Sequence, residues 1–365
     1  MSKKNNFLKD SRTIWIALGL LAIVVRSLAS PAAIEQYYSR GLFVVIRHIF
    51  DVFTGIFPIA LVYLLFVGLL VWIVRTIQRI RKDARPLKTK LGSALFSTLA
   101  FIFGVIFLFL VLWGFNYGRI SVEEQMGFET TPLSLEELKM ELDSTTKVLE
   151  ILRKNVPQSS DSAFTASYLP IDLEPTMREV LTTTLKKYGF PTPGKVRGRK
   201  LLPRGILLRI STAGIYIPFT GEGHIDGGLH PIQLPFVMAH EMAHGYGFGD
   251  EGTCNFLAFL ACIESDDALL RYIGYFSYWR YVASNYRRYE PAAYKDFYDK
   301  KVPLGVKNDL KAIYAEMDKY PDIFPAVRDA VYDNYLRAQG INEGIQNYSR
   351  ILMLEKGRKN RTGKE

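Results

Sequence analysis

Hydrophobic and polar positions divide the chain near residue 118. Before it, two stretches carry no charged side chain, Val52–Val74 (23 residues) and Leu91–Gly118 (28 residues). Each is long enough to cross a hydrocarbon core of about 30 Å as a helix. Soluble cores rarely need two such runs so close together with strongly basic flanks. A third stretch is shorter. Thr13–Val25 is uncharged, Arg26 follows, and Ser27–Ile34 is again uncharged, so this helix spans if Arg26 sits near its end and snorkels. Leu28-Ala29-Ser30 would suit a signal-peptide cleavage site, but Pro31 directly after it argues for an uncleaved anchor. Residues 35–51 mix Tyr37, Tyr38, Phe43 and Ile46 with Arg40 and Arg47, which fits an amphipathic helix at the outer interface and fits a plain connecting helix almost as well.

Beyond residue 118 the pattern is that of a folded domain. Ser134-Leu-Glu-Glu137 is a capping-box start for a helix running to about Asn155. Residues 157–166 and 191–198 read as loops. Ile206–Ile210 and Ile215–Phe219, separated by Ser-Thr-Ala-Gly, predict a hairpin, with Pro218 favouring an edge position. From Pro235 the pattern is helical, and Asn255–Tyr289 and Asp322–Glu355 predict amphipathic helices rich in Tyr and Phe. The expected architecture is helix-dominated α+β: a membrane module of three transmembrane helices over residues 1–118, then one domain over 119–365 with a small edge-strand sheet.

Composition narrows the function. With 48% hydrophobic residues and two cysteines in 365, the chain is neither disordered nor disulfide-stapled. Its net charge of +10 belongs wholly to the first part: residues 1–117 hold 14 Lys+Arg against 4 Asp+Glu, and the remaining 248 hold 32 of each. A nucleic-acid-binding body would need its own basic face, so that class is excluded. Between the two long spans lie Arg75, Arg79, Arg81, Lys82, Arg85, Lys88 and Lys90 against Asp83 alone. The positive-inside rule puts this segment in the cytoplasm and everything after Gly118 outside.

The chemistry sits in His240-Glu241-Met242-Ala243-His244. On a helix, residues four apart share a face, so both imidazoles can reach one metal ion while Glu241 stands beside them as a general base. Phe236, Val237, Met238 and Ala239 bury this helix, where an unsatisfied polar pair would be costly. Imidazole and carboxylate donors in an open tetrahedral site suit zinc. Spacing leaves two choices of third ligand. Asp250 has the metzincin spacing after His244 and Gly247, whereas Glu251 followed by Asn255 on a new helix is the gluzincin pattern. No Met-turn is evident, and Asp250 after glycine suits a helix N-cap, which favours Glu251.

Other candidates are weaker. Cys254 and Cys262 lie about 12 Å apart along one helix and read as free buried thiols. His224 and His230 fall in a Gly-rich loop, Glu222 reads as a turn cap or a site residue, and Tyr348 is a candidate oxyanion stabiliser.

These residues resemble the three-span membrane proteins of domain of unknown function family 3810. The resemblance rests on Glu35-Gln-Tyr-Tyr-Ser39, Phe115-Asn-Tyr117 with Arg119, Gly214 to Glu222, Pro235 to His244, Asn255-Phe-Leu-Ala258 and Tyr348-Ser-Arg350, in this order. It implies a membrane-anchored, zinc-metallopeptidase-like domain outside the cytoplasm, with His240, His244 and Glu251 on the metal. The family usually reads Glu-x-Glu-Ala-Asn after the second histidine; here Glu251-Gly-Thr-Cys-Asn255 lacks the second acidic residue. The expected activity is a zinc-dependent hydrolase, a metallopeptidase of zincin type acting on peptide or protein substrates. The expected location is a bacterial cytoplasmic membrane, multi-pass, with the lipid bilayer as a partner. The alternative is a non-catalytic sensor or binding module with a structural zinc.

Overall fold

A computed structural model of the chain describes residues 10–363 apart from 324 and 343. It divides into two compact units: residues up to Arg119 with Ile217–Gly221, and Ile120–Tyr216 with the residues from Glu222 onward. The chain is helix-dominated α+β, and one small three-stranded sheet is present among the described residues.

In the first unit, α1 (Ser11–Leu28) starts after Asp10, whose carboxylate accepts the Arg12 backbone N–H at 3.0 Å. A single turn, α2 (Pro31–Ala33), leads into a π-helical stretch over Ile34–Leu42 and then α3 (Phe43–Ile56), α4 (Leu61–Lys82) and α5 (Leu87–Leu112). Helices α1, α4 and α5 are long and apolar enough to cross a membrane. They leave Leu21, Phe66, Leu70 and Leu95 exposed, an apolar surface that lipid would cover at no cost. Helices α1 and α5 approach backbone to backbone at Gly19, where any Cβ would strike the Phe103 carbonyl.

The second span differs from the sequence expectation. The uncharged run beginning at Val52 is not one helix: α3 stops at Ile56, Phe57 is extended (φ −95°, ψ 127°), and α4 begins at Leu61. Pro58 explains the break, because it disfavours helical geometry in the preceding residue and lacks an N–H of its own. Helix α4 therefore extends through Arg75 and Arg79 to Lys82. Helix α5 ends at Leu112, and Gly114–Gly118 is a 3-10 turn. The 35–51 segment is helical, as expected, but π-helical over Ile34–Leu42 before α3 begins. Its π-helical part buries Glu35, which accepts from Arg119 Nε and Nη2 and from Arg40 Nε, each at 2.8 Å.

The second unit runs α6 (Val122–Met126), α7 (Leu135–Asn155), α8 (Leu173–Lys187), β1 (Arg197–Leu201), β2 (Gly214–Ile217), β3 (Glu222–Asp226), α9 (Leu234–Gly245), α10 (Glu251–Ile263), α11 (Ala268–Tyr289), α12 (Pro291–Lys301), α13 (Leu304–Met317), α14 (Pro325–Ala338) and α15 (Ile351–Thr362). The capping box of α7 forms as read: Ser134 Oγ accepts the Glu137 N–H at 3.2 Å and Glu137 Oε2 accepts the Ser134 N–H at 2.7 Å. Helix α10 is buried from Glu251 through Cys262 and is the centre of the core, packed by α8, α9, α11 and α15. Helix α11 meets it through Tyr275 and Tyr278, whose rings lie 5.6 and 4.8 Å from that of Phe259, and through Gly274, where a Cβ would lie 2.7 Å from Cys262 Cβ.

The sheet has the order β1-β3-β2, with β1 parallel to β3 from Arg197↔Glu222 to Leu201↔Asp226. Strand β2 lies at an edge, as Pro218 suggests, but its partner is not Ile206–Ile210. That segment is turns and a 3-10 helix over Leu208–Ile210. The buried Asp226 carboxylate is the cause: it accepts the backbone N–H groups of Gly205 (2.6 Å), Leu207 (2.6 Å), Leu208 (3.1 Å) and Gly228 (2.6 Å), which draws the chain away from strand geometry. The partner of β2 is β3, a segment that reads as loop in the sequence because of its glycines.

Candidate metal centre

Helix α9 delivers His240, Glu241 and His244, and α10 delivers Glu251 from its first position. Gly247, at φ 92°, turns the chain between them. Asp250 is the N-cap of α10, its Oδ1 accepting the Thr253 N–H at 2.7 Å. Glu251 is consequently the acidic residue that stands with the histidines. His240, Glu241, His244 and Glu251 are only 7, 3, 5 and 4% exposed, so their polar atoms must be satisfied within the fold.

The ligand atoms of His240, His244 and Glu251 all lie within 4.8 Å of one another, a group that could hold a metal ion. The two Nε2 atoms are 3.1 Å apart, and Glu251 Oε2 is 3.1 Å from that of His240 and 3.3 Å from that of His244. Three ligands on a tetrahedron with bonds of about 2.0–2.1 Å would stand about 3.3 Å apart, so the triangle has the right size. Its chemistry agrees. His244 Nδ1 donates to the Phe248 carbonyl at 2.8 Å and His240 Nδ1 faces Asn255 Oδ1 at 2.9 Å, which leaves both Nε2 atoms directed at each other and at a carboxylate. A positive charge, either a metal ion or a proton on His244, is what draws these three groups together.

The same field acts on protons. Burial pushes Glu251 up, but the His244 and His240 rings outweigh it and hold the carboxyl well below the ordinary range. Burial pushes His244 down, but Cys254 and Glu251 beside it outweigh that and hold it well up. For Glu241 burial outweighs the His240 and His244 rings, and with Glu251 beside it the carboxyl is pushed up to about 7. Its Oε2 is buried without a hydrogen-bond partner. Two glycines make room for it: a Cβ on Gly214 of β2 would lie 2.6 Å from Glu241 Oε1, and one on Gly223 of β3 would lie 2.6 Å from Glu241 Cβ.

A known family matches this chain. It is described as Protein of unknown function (DUF3810), and it matches residues 38–354. The chain belongs to the DUF3810 family. Neither curated proteins nor solved structures give a match.

The remaining candidates of this DUF3810 chain sit elsewhere. His224 is not in a loop but on β3, fully buried, with Nδ1 3.3 Å from the Ile215 carbonyl and Nε2 3.6 Å from Glu222 Oε2. Glu222, also on β3 and fully buried, pairs with Arg199 Nε at 3.3 Å. His230 caps the 3-10 turn Pro231–Gln233. Cys254 and Cys262 are free and buried, burial pushing both thiols up to about 12. Cys254 Sγ lies 3.3 Å from His244 Nδ1, beside the metal group but outside it. The side chain of Tyr348 lies outside those described. Sequence reasoning missed Gly214, Gly223 and Tyr281, which hydrogen-bonds Asn255. The glycines were visible as residues, but nothing local says which helix they admit.

Proposed function

We propose that this chain is a membrane-anchored zinc hydrolase, a metallopeptidase of zincin type whose domain over 119–365 works outside the cytoplasm, held by a membrane module over 1–118. His240, His244 and Glu251 would hold the metal, with Asn255 and the Phe248 carbonyl orienting the two rings. The donor set of two imidazoles and one carboxylate favours zinc. Bound there, zinc would supply Lewis acidity toward a water and a substrate carbonyl. Glu241 would take up a proton from the attacking water and return it to the leaving amine. Burial, which pushes its carboxyl up, favours its taking up a proton. A substrate in extended form would add alongside β2, the edge strand of the sheet, whose Gly214 lies against Glu241.

The single observation that carries the reading is Glu241: a buried carboxylate beside the three ligands, outside their hydrogen bonds, with one oxygen unpartnered. A purely structural zinc site has no use for such a group, which argues against the non-catalytic alternative. The test is metal analysis of the purified full-length protein, followed by recovery of peptides or proteins that accumulate on a Glu241→Ala variant. Expected are one zinc in wild type and variant alike, and a retained substrate that wild type cleaves. Normal cleavage of that substrate by the variant would refute the mechanism.

A further inference from the structure

The first turn of α10 is held by a segment almost a hundred residues away. Asn347 Oδ1 accepts the Gly252 N–H at 2.8 Å, and Asn347 Nδ2 donates to Asp250 Oδ2 at 2.9 Å. Arg350 Nη1 donates to Asp250 Oδ1 at 2.8 Å and to Thr253 Oγ1 at 3.2 Å, while its Nη2 pairs with Glu123 of α6. The approach is tight enough to require glycine at 252, where a Cβ would lie 2.5 Å from Arg350 Cβ and 2.7 Å from the Asn347 carbonyl. Asn347 is 2% exposed, so these bonds are made away from competing water.

Glu251 lies between the two clamped residues. Asp250 is fixed through both carboxylate oxygens and Gly252 through its N–H, so the backbone that carries Glu251 is pinned on each side. A carboxylate at the first position of a helix otherwise frays with its terminus. Ligand atoms must be held to within about 0.5 Å for a metal site to keep its affinity.

We propose that Asn347 and Arg350 are positioning residues for the metal centre: they fix the start of α10 so that Glu251 meets His240 and His244, and they couple metal binding to docking of the 344–350 turn (Gly344–Arg350) on that helix. The proposal rests on the reading of His240, His244 and Glu251 as metal ligands. Because coupling is reciprocal, a metal ion held by Glu251 must also strengthen the grip of Asn347 and Arg350 on α10.

Full-length protein in detergent is titrated with Zn²⁺ against a chromophoric chelator, and with Co²⁺ to record the ligand-field spectrum. Asn347→Ala and Arg350→Gln are each expected to weaken Zn²⁺ binding by about 10- to 100-fold, the range of other residues that orient ligands, and to alter the Co²⁺ bands. Arg350→Lys, which keeps the charge, is expected to recover part of the loss. Arg358→Gln, which breaks the ion pair with Glu355 on α15 away from the α10 turn, is expected to leave affinity unchanged. Should a variant fail to fold, wild type itself supplies the check: saturating Zn²⁺ is expected to slow amide hydrogen exchange over 344–350. Wild-type binding with equal affinity in Asn347→Ala and Arg350→Gln, or with no change in exchange at 344–350, overturns the clamp and leaves the ligand assignment standing. Absence of Zn²⁺ and Co²⁺ binding by wild type overturns both.

Discussion

Asn255→Ala tests the metal centre through a residue that would not touch the ion. Asn255 Oδ1 lies 2.9 Å from His240 Nδ1, and both side chains are buried. Removing the acceptor leaves an imidazole N–H without its partner, which costs about 1–3 kcal/mol in a protein interior. The whole cost enters the binding equilibrium only if the ring keeps its orientation when metal is bound and relaxes when it is not. A metal bound at Nε2 would fix the His240 ring, so this full cost sets the upper bound of the expected loss. A loss of 1–3 kcal/mol corresponds to about 5- to 150-fold in affinity, which brackets the range of about 10- to 100-fold for groups that orient metal ligands. Asn255→Asp should retain affinity, since a carboxylate accepts the same hydrogen bond. The assay is chelator competition with Zn²⁺ on full-length protein, with far-UV circular dichroism as a control for folding. A folded Asn255→Ala protein within twofold of wild-type affinity would show that His240 does not bind metal through Nε2.

Zinc stoichiometry at saturation separates the two acidic residues that follow the second histidine. Glu251→Gln is expected to lose bound zinc, while Asp250→Asn keeps it and gives up about 1 kcal/mol of stability as a weakened cap; zinc loss confined to Asp250→Asn would reverse the assignment. Topology is accessible by cysteine labelling in intact cells, with little background because Cys254 and Cys262 are buried. Labels introduced at exposed positions after residue 119 should react with an impermeant reagent and those between Arg79 and Lys90 should not, and the opposite pattern would overturn the orientation drawn from the basic loop.

What could be read in the sequence was whatever depends on near neighbours along the chain. Three apolar runs mark the candidate spans because crossing about 30 Å of hydrocarbon is a matter of length and charge alone. The paired histidines of α9 share a face because four residues make about one helical turn. The capping box at Ser134 and the N-cap at Asp250 are contacts over three residues, and both form. Where local signals competed, the reading slipped: Pro58 divides a run that counting charges leaves whole, and Asp226 pulls 205–208 out of strand geometry by gathering amides some twenty residues upstream.

Tertiary structure alone decided how the site is assembled. Glu251 joins the histidines because α10 packs against α9, while the neighbouring carboxylate of Asp250 is taken up by Thr253, Asn347 and Arg350. Gly214 and Gly223 matter because two strands pass close to Glu241, and His224 is buried because its glycine-flanked segment becomes the central strand of the sheet. Each of these outcomes depends on contacts between residues far apart in the chain. The spacing of residues specifies which side chains can share a face, but only the packing of one element on another selects the partners those faces meet.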